Sequence, residues 1–339
     1  MFILCLFLLH RSIAEDIMLL KTTFIVFLCI IAQSIPIAYS QEQLKWLKNE
    51  PITPIPDVLG LELEKVKLGK RLFHDVNLSS SGTISCASCH NLSNAGVDSL
   101  PVSIGVSGRL GSMNSPTVFN SSLQFRQFWD GRTATLEEQV SGPLTNFNEM
   151  ANNWESIIRY LQSDDSYSVL FEKNYGREPS KENVSHAIAE FERSLLTPNG
   201  KFDRYLKGDD SAIDAATKRG YQLFKSFGCA SCHQGAAVGG NMYEKLGVII
   251  PYFEDINAKE SDLGRFNVSG IEESKFEFKV PSLRNVALTA PYFHDGSIKT
   301  LEEAIKIMAK HQLGRQISDV DIVDITEFLK SLSGDINAQ

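Results

Sequence analysis

Two five-residue segments constrain this chain more than any other feature: Cys86-Ala87-Ser88-Cys89-His90 and Cys229-Ala230-Ser231-Cys232-His233. In a CxxCH segment the cysteines can hold a haem through thioethers to its vinyl groups, and the adjacent histidine can coordinate the iron. With six cysteines and seven histidines in 339 residues, far less than one such match is expected by chance, and there are two. A thioredoxin-like dithiol or a zinc site needs no histidine directly after the second cysteine, twice. The sequence therefore carries two attachment sites for haem c, and the fold must enclose two flat apolar groups.

The N-terminus agrees with that chemistry, because c-type haem is attached outside the cytoplasm. Residues 18–40 contain Lys21, an apolar run from Phe24 to Ile31, and small residues at Ala38 and Ser40, the layout of a secretory signal. The expectation is a signal peptide region over 1–40, with synthesis starting at Met18, cleavage after Ser40 and a periplasmic product of Gram-negative type. The apolar run is shorter than the ~20 residues of a membrane span. No later stretch approaches that length, so the mature chain is expected to have no membrane span. Cys5 and Cys29 leave with the signal, and every remaining cysteine lies in a CxxCH. The net charge of −8 argues against a nucleic-acid-binding surface.

An internal repeat organises the rest. Gly69-x-x-Leu72-Phe73 precedes the first haem motif and Gly220-x-x-Leu223-Phe224 the second. Residues 116–138 (PTVFNSSLQFRQFWDGRTATLEE) align without a gap to 281–303 (PSLRNVALTAPYFHDGSIKTLEE). Two copies of one haem-binding unit are implied. We place their join at the turn-forming Pro198-Asn199-Gly200, so that 41–200 is an N-terminal haem domain and 201–339 a C-terminal one. The expected fold class is mostly α: two cytochrome c-like domains related by internal duplication, with long loops around the haems. Val184, Ile188, Phe191 and Leu195 form one apolar helix face, and Ile322, Ile325, Leu329 and Leu332 another with Ser318 as its cap. Thr300-Leu301-Glu302-Glu303 has capping-box spacing and should open a helix.

Each CxxCH supplies one axial ligand, and the sixth position separates electron transfer from chemistry. The remaining histidines are His74, His186, His294 and His311, and the mature chain's methionines are Met113, Met150, Met242 and Met308. Met308 shares a helical stripe with Leu301, Ala304 and Ile305, but spacing alone does not choose it over Met242. His186 lies opposite the apolar face of its helix, as a solvated surface residue would. His74 and His294 have loop-like contexts, where hydrogen bonding is the simpler role.

From about Leu68 to Gly334 the chain resembles the bacterial di-haem cytochrome c peroxidases, a family that includes the MauG-like enzymes. The resemblance rests on GTISCASCHNLSNAGVD, NSPTVFNSSLQFRQFWDGR, GCASCHQGAAVGGNMY and VPSLRNVALTAPYFHDG. It implies a peroxidatic haem on Cys86, Cys89 and His90, and an electron-entry haem on Cys229, Cys232 and His233. It further implies Met308 as that second iron's distal ligand, where MauG-like members carry a tyrosine. Trp129 is implied between the haems, with Gln139 and Glu149 as the catalytic pair at the peroxide. A calcium ion between the haems is implied on the Asn114 side chain and the Thr289 and Pro291 carbonyls, oxygen ligands that suit this cation. The implied reaction reduces hydrogen peroxide to water with electrons from a small cytochrome c or cupredoxin, in a homodimer. A di-haem electron carrier and a MauG-like oxidase of a protein or organic partner are the alternatives. Met308 disfavours the latter, and the Gln139–Glu149 match the former.

One departure stands out. Many members carry a histidine after Ser-Ile-Gly in the loop beyond the first haem motif, where it caps the peroxidatic iron at rest. Here the segment reads Ser103-Ile104-Gly105-Val106, and valine cannot ligate iron. Either that iron is open from the start or another group caps it, Met113 and His74 being the local candidates.

Overall fold

The computed structural model describes residues 50–56, 60–253 and 257–336. The segment read as a signal peptide lies outside them. Each haem motif is preceded by a helix that crosses a later helix at very short range. In the first half, α1 (Leu63–Phe73) crosses α5 (Lys181–Ser194); in the second, α7 (Ala215–Phe227) crosses α9 (Asp319–Ser331). The repeated glycine explains the approach. A Cβ built on Gly69 would lie 1.8 Å from the Ala187 carbonyl oxygen, and one on Gly220 would lie 1.8 Å from that of Asp324. No side chain larger than hydrogen fits at either crossing.

Between the paired helices run α2 (Leu136–Thr145), α3 (Trp154–Ser163), α4 (Asp165–Tyr175) and α6 (Lys201–Leu206), and α8 (Leu301–Leu313) precedes α9. The expected caps are present: Ser318 Oγ accepts from Asp321 N–H and Thr300 Oγ1 from Glu303 N–H. The only sheet among the described residues is an antiparallel pair, β1 (Tyr243–Lys245) with β2 (Glu277–Lys279). No helix among the described residues is long and apolar enough to cross a membrane.

The aligned segments 116–138 and 281–303 share their backbone as well as their letters. Asn120 and Asn285 both take the left-handed conformation, at φ 62° and 61°, as do Phe128 and Phe293, at 67° and 69°. Thr135 caps α2 as Thr300 caps α8. Asn120 N–H donates to Leu195 O at 2.8 Å, and Asn285 N–H to Leu332 O at 3.4 Å, each holding the residue that ends the second helix of its pair. Both asparagine amides then converge on one hydroxyl, Thr197 Oγ1, at 2.9 and 3.3 Å. A buried polar side chain must find partners, and here the two repeat units supply them to a single residue.

Two apolar clusters follow from the duplication. One gathers Leu68, Leu72 and Phe73 of α1 with Val184, Ile188, Phe191 and Leu195. The other gathers Tyr221 and Phe224 of α7 with Ile325, Phe328, Leu329 and Leu332, and takes in Ile52 from the far end of the chain. A fully buried ion pair keeps that end in place. Arg284 and Asp203 meet at 2.8 Å, Arg284 also donates to Thr53 O at 2.9 Å, and Ile55 N–H donates to Asp203 at 3.4 Å. His186 departs from the solvated role expected of it: it is half-buried, its Nδ1 3.0 Å from the Oη of Tyr175, the residue that ends α4.

Candidate functional site

The first haem motif is a single helical turn, Cys86–Cys89, held by a reciprocal cap between Ser85 and Ser88. His90 follows it, its Nδ1 3.3 Å from the Gly96 carbonyl. In the second half Gly228, at φ 99°, stops α7 and turns the chain into Cys229–Cys232, and His233 Nδ1 stands 3.3 Å from the Val238 carbonyl. A backbone acceptor on Nδ1 orients each ring and leaves Nε2 for a metal. Burial holds both imidazoles below their usual pKa, His233 down to about 4, so both are neutral as ligation requires.

Burial also pushes the Cys86 thiol up to about 12, assisted by the Glu192 charge, and Cys229 up to about 11. Thiolates are disfavoured here. A redox dithiol needs the opposite. The four cysteines among the described residues are free of disulfides.

A cavity of about 400 Å³ opens beside Cys229, Cys232 and His233, walled chiefly by apolar groups including Phe224, Leu283, Ile305 and Leu329. Its size and lining fit a haem standing on His233. Met308, on α8, lies in the wall of this cavity. Met242 instead pairs through its backbone carbonyl with Val280 N–H at 3.0 Å. Tertiary packing thus separates the two methionines that spacing left equivalent.

Trp129 lines the same cavity, and its Nε1 donates to Asn114 O at 2.9 Å. His294, its counterpart in the repeat, presents its ring edge-on with centroids 6.5 Å apart. His294 is buried and its Nε2 lies 2.7 Å from Asp262 Oδ1. For this pair the sequence offered only a loop-like context at His294, while the resemblance implied Trp129 between the haems. The alignment of His294 with Trp129 was the signal that could have found it. Asn114, Thr289 and Pro291 also border the cavity, and Asn114 is oriented by donation from its amide to Leu100 O at 3.0 Å.

The other two expected catalytic residues belong to the first half. Gln139 is half-buried on α2. Glu149 lies just beyond that helix, is half-buried, and accepts from Asn146 Nδ2 at 2.5 Å. Burial raises its pKa above the usual carboxylate range, against the opposing pull of Asn146 and Arg132. Its charge adds, as a minor contribution, to the upward push on the Cys86 and Cys89 thiols. The loop carrying Val106 is docked on the same segment: Val106 N–H donates to Glu149 O at 2.8 Å, and Val106 is buried. A Cβ on Gly105 would fall 2.1 Å from Asn148 O, so only glycine lets the loop sit this close. Met113 is half-buried, and His74 is an exposed helix end whose Nδ1 stands 2.8 Å from Lys70 O.

Residues 63–211 match the family described as di-haem cytochrome c peroxidase, and 217–333 match cytochrome c. Cytochrome c551 peroxidase of Nitrosomonas europaea is 46% identical over 85% of this chain and 85% of its own length. The chain belongs to the di-haem cytochrome c peroxidase family. Cytochrome c peroxidase Ccp of Escherichia coli is 48% identical over 85% of this chain, which spans 62% of that longer protein. Methylamine utilization protein MauG of Methylophilus methylotrophus is more distant, at 33% identity over 85% of this chain and 88% of its own length. Among solved structures, a MauG-like protein associated with microbial copper homeostasis superposes with a TM-score of 0.73 at 27% identity, covering 86% of this chain and 96% of that one. As a di-haem peroxidase-family chain, this one carries covalent haem c in a mostly helical fold built of two cytochrome c-like parts.

Proposed function

We propose that this chain reduces hydrogen peroxide to two waters with two protons and two electrons, the electrons coming from a small reduced cytochrome c or cupredoxin. The observation that supports the assignment of roles is the Glu149 carboxyl itself, half-buried just beyond α2 and with a raised pKa. The bound haems supply the redox chemistry, the one on His90 facing peroxide and the one on His233 taking electrons in.

Everything else falls to the chain. The Glu149 carboxylate takes a proton from the inner peroxide oxygen and returns it to the outer one, as general base and then acid. A pKa raised toward the working pH suits a group that must do both. The Gln139 amide hydrogen-bonds the peroxide and orients it. Met308 Sδ would serve with His233 to hold that haem, and a thioether ligand would favour electron uptake there. Trp129 fills the space between the two halves. Asn114 Oδ1 and the Thr289 and Pro291 carbonyls would hold a calcium ion. The periplasm is the site of action, after cleavage at Ser40, as a homodimer of two-domain subunits divided at residues 200 and 201.

Because Val106 replaces the usual capping histidine and its loop already lies against Glu149, the peroxide site is open in the oxidised protein. The test is peroxide-dependent oxidation of a reduced donor cytochrome by fully oxidised protein and by protein whose high-potential haem has been reduced with ascorbate. Equal turnover in both states is expected. Turnover only after reduction would show a substitute cap, and the search would start at Met113 and His74. No turnover in either state would favour an electron carrier or a MauG-like oxidase.

A further inference from the structure

Lys279 is 7% exposed. Its ammonium donates to the Gln124 side-chain carbonyl, and burial pushes its pKa down to about 8 with no charged group among the described residues offsetting it. An ammonium out of water without a counter-charge is costly. Lys279, Gln124, Trp129 and His233 line one cavity, the one that fits a haem. A haem brings two carboxylates with it.

The repeat adds a second, independent argument. Lys279 stands two residues before Pro281, as Asn114 stands two before Pro116. The backbone treats them alike: Asn114 N–H donates to His294 O at 2.7 Å, and Lys279 N–H donates to Trp129 O at 2.8 Å, each reaching across to the other repeat. The cation site read at Asn114 therefore has a pseudo-symmetric twin, and the twin holds a covalently fixed cation.

We propose that the Lys279 ammonium pairs with a carboxylate of the haem on His233 and raises that centre's reduction potential, as the built-in counterpart of the cation at Asn114. A fixed positive charge next to a redox centre favours the form with one more electron. This rests on the two-haem reading of the site.

The test compares holoprotein of wild type, Lys279→Gln and Lys279→Arg by potentiometric titration followed at the haem bands. In Lys279→Gln the His233 centre is expected to fall in potential, and by more than the His90 centre. Lys279→Arg is expected to stay near wild type. An unchanged potential in Lys279→Gln would overturn the proposal, and so would an equal fall in Lys279→Arg, which would mark a packing role. Should Lys279→Gln fail to load, the wild-type propionate-bending Raman band in H2O and D2O decides: an isotope-sensitive band is expected, and an insensitive one overturns the pairing. Haem content by pyridine haemochrome keeps the two claims apart, since fewer than two haems in the wild type would sink the two-haem reading itself.

Discussion

Trp129 and His294 hold the same place in the two copies of the repeat and meet edge to face, their ring centroids 6.5 Å apart. Neither is free to drift. The Trp129 indole N–H is tied to Asn114 O at 2.9 Å and the His294 imidazole to Asp262 at 2.7 Å, while the backbone oxygens of both accept from the opposite repeat. The contact is thus the point where the duplicated halves interlock, on the wall of the cavity assigned to the second haem. Trp129→Phe keeps the ring and loses the anchoring hydrogen bond. We expect both haems to load and electron transfer between them to slow, read by the rate at which electrons from ascorbate support peroxide turnover. An unchanged rate would reduce Trp129 to packing.

Replacing Glu149 with Gln should lower turnover by about 10²–10⁴-fold, the usual worth of a positioned acid-base group, with both haem spectra intact. The raised pKa also has a signature. The base must be ionised to act, so the acidic limb of kcat/KM should lie above the ordinary glutamate range in wild type and vanish in Glu149→Gln. A limb that survives the substitution would belong to another group.

Val106→His should recreate a resting cap. The backbone N–H of residue 106 is bonded to Glu149 O, so a histidine here is held on the Glu149 segment, where the proposed chemistry takes place. The expected outcome is an oxidised protein with little peroxide turnover that recovers after reduction with ascorbate. Full activity in the oxidised variant would mean that this loop does not reach the iron.

Glu192 offers a stability test with a definite sign. Burial raises its pKa from 4.5 to about 8 in the folded protein. Between those values the folded state keeps a proton that the unfolded chain has lost. Stability therefore falls as pH rises through that window, by an amount of the order of a few kcal/mol. Denaturant unfolding of holoprotein at pH 5 and pH 8 should show the loss, and Glu192→Gln should remove most of it. A wild type equally stable at both pH values would show Glu192 ionised in the fold.

Gly69→Ala and Gly220→Ala should each cost more than about 3 kcal/mol or abolish accumulation of holoprotein, since the added methyl meets backbone rather than a movable side chain. Thermal unfolding of the two variants checks this. Gly60→Ala, where a Cβ meets nothing within 4 Å, is the control.

Much of this protein is local in origin and was legible in its letters. The CxxCH segments carry their chemistry within five residues, because attachment needs only two thiols and an imidazole at fixed spacing. The repeat reads at a constant offset, and helix caps such as Ser318 and Thr300 act within three residues of themselves. The family resemblance followed from those same contiguous motifs. Other features depend on which distant groups are brought together, and these belong to the tertiary structure. Spacing could not prefer Met308 to Met242; the wall of the cavity distinguishes them. Glu149 looks like any surface acid until burial raises its pKa. Lys279 becomes a buried cation only when β2 lies against the Trp129 segment, and Thr197 becomes the meeting point of two asparagines only when the repeats face each other. Desolvation and charge act through space, whereas attachment spacing and capping act along the chain. The sequence by itself therefore determined which groups the protein carries, and the tertiary structure decided which of them are dry, paired or gathered around one cavity.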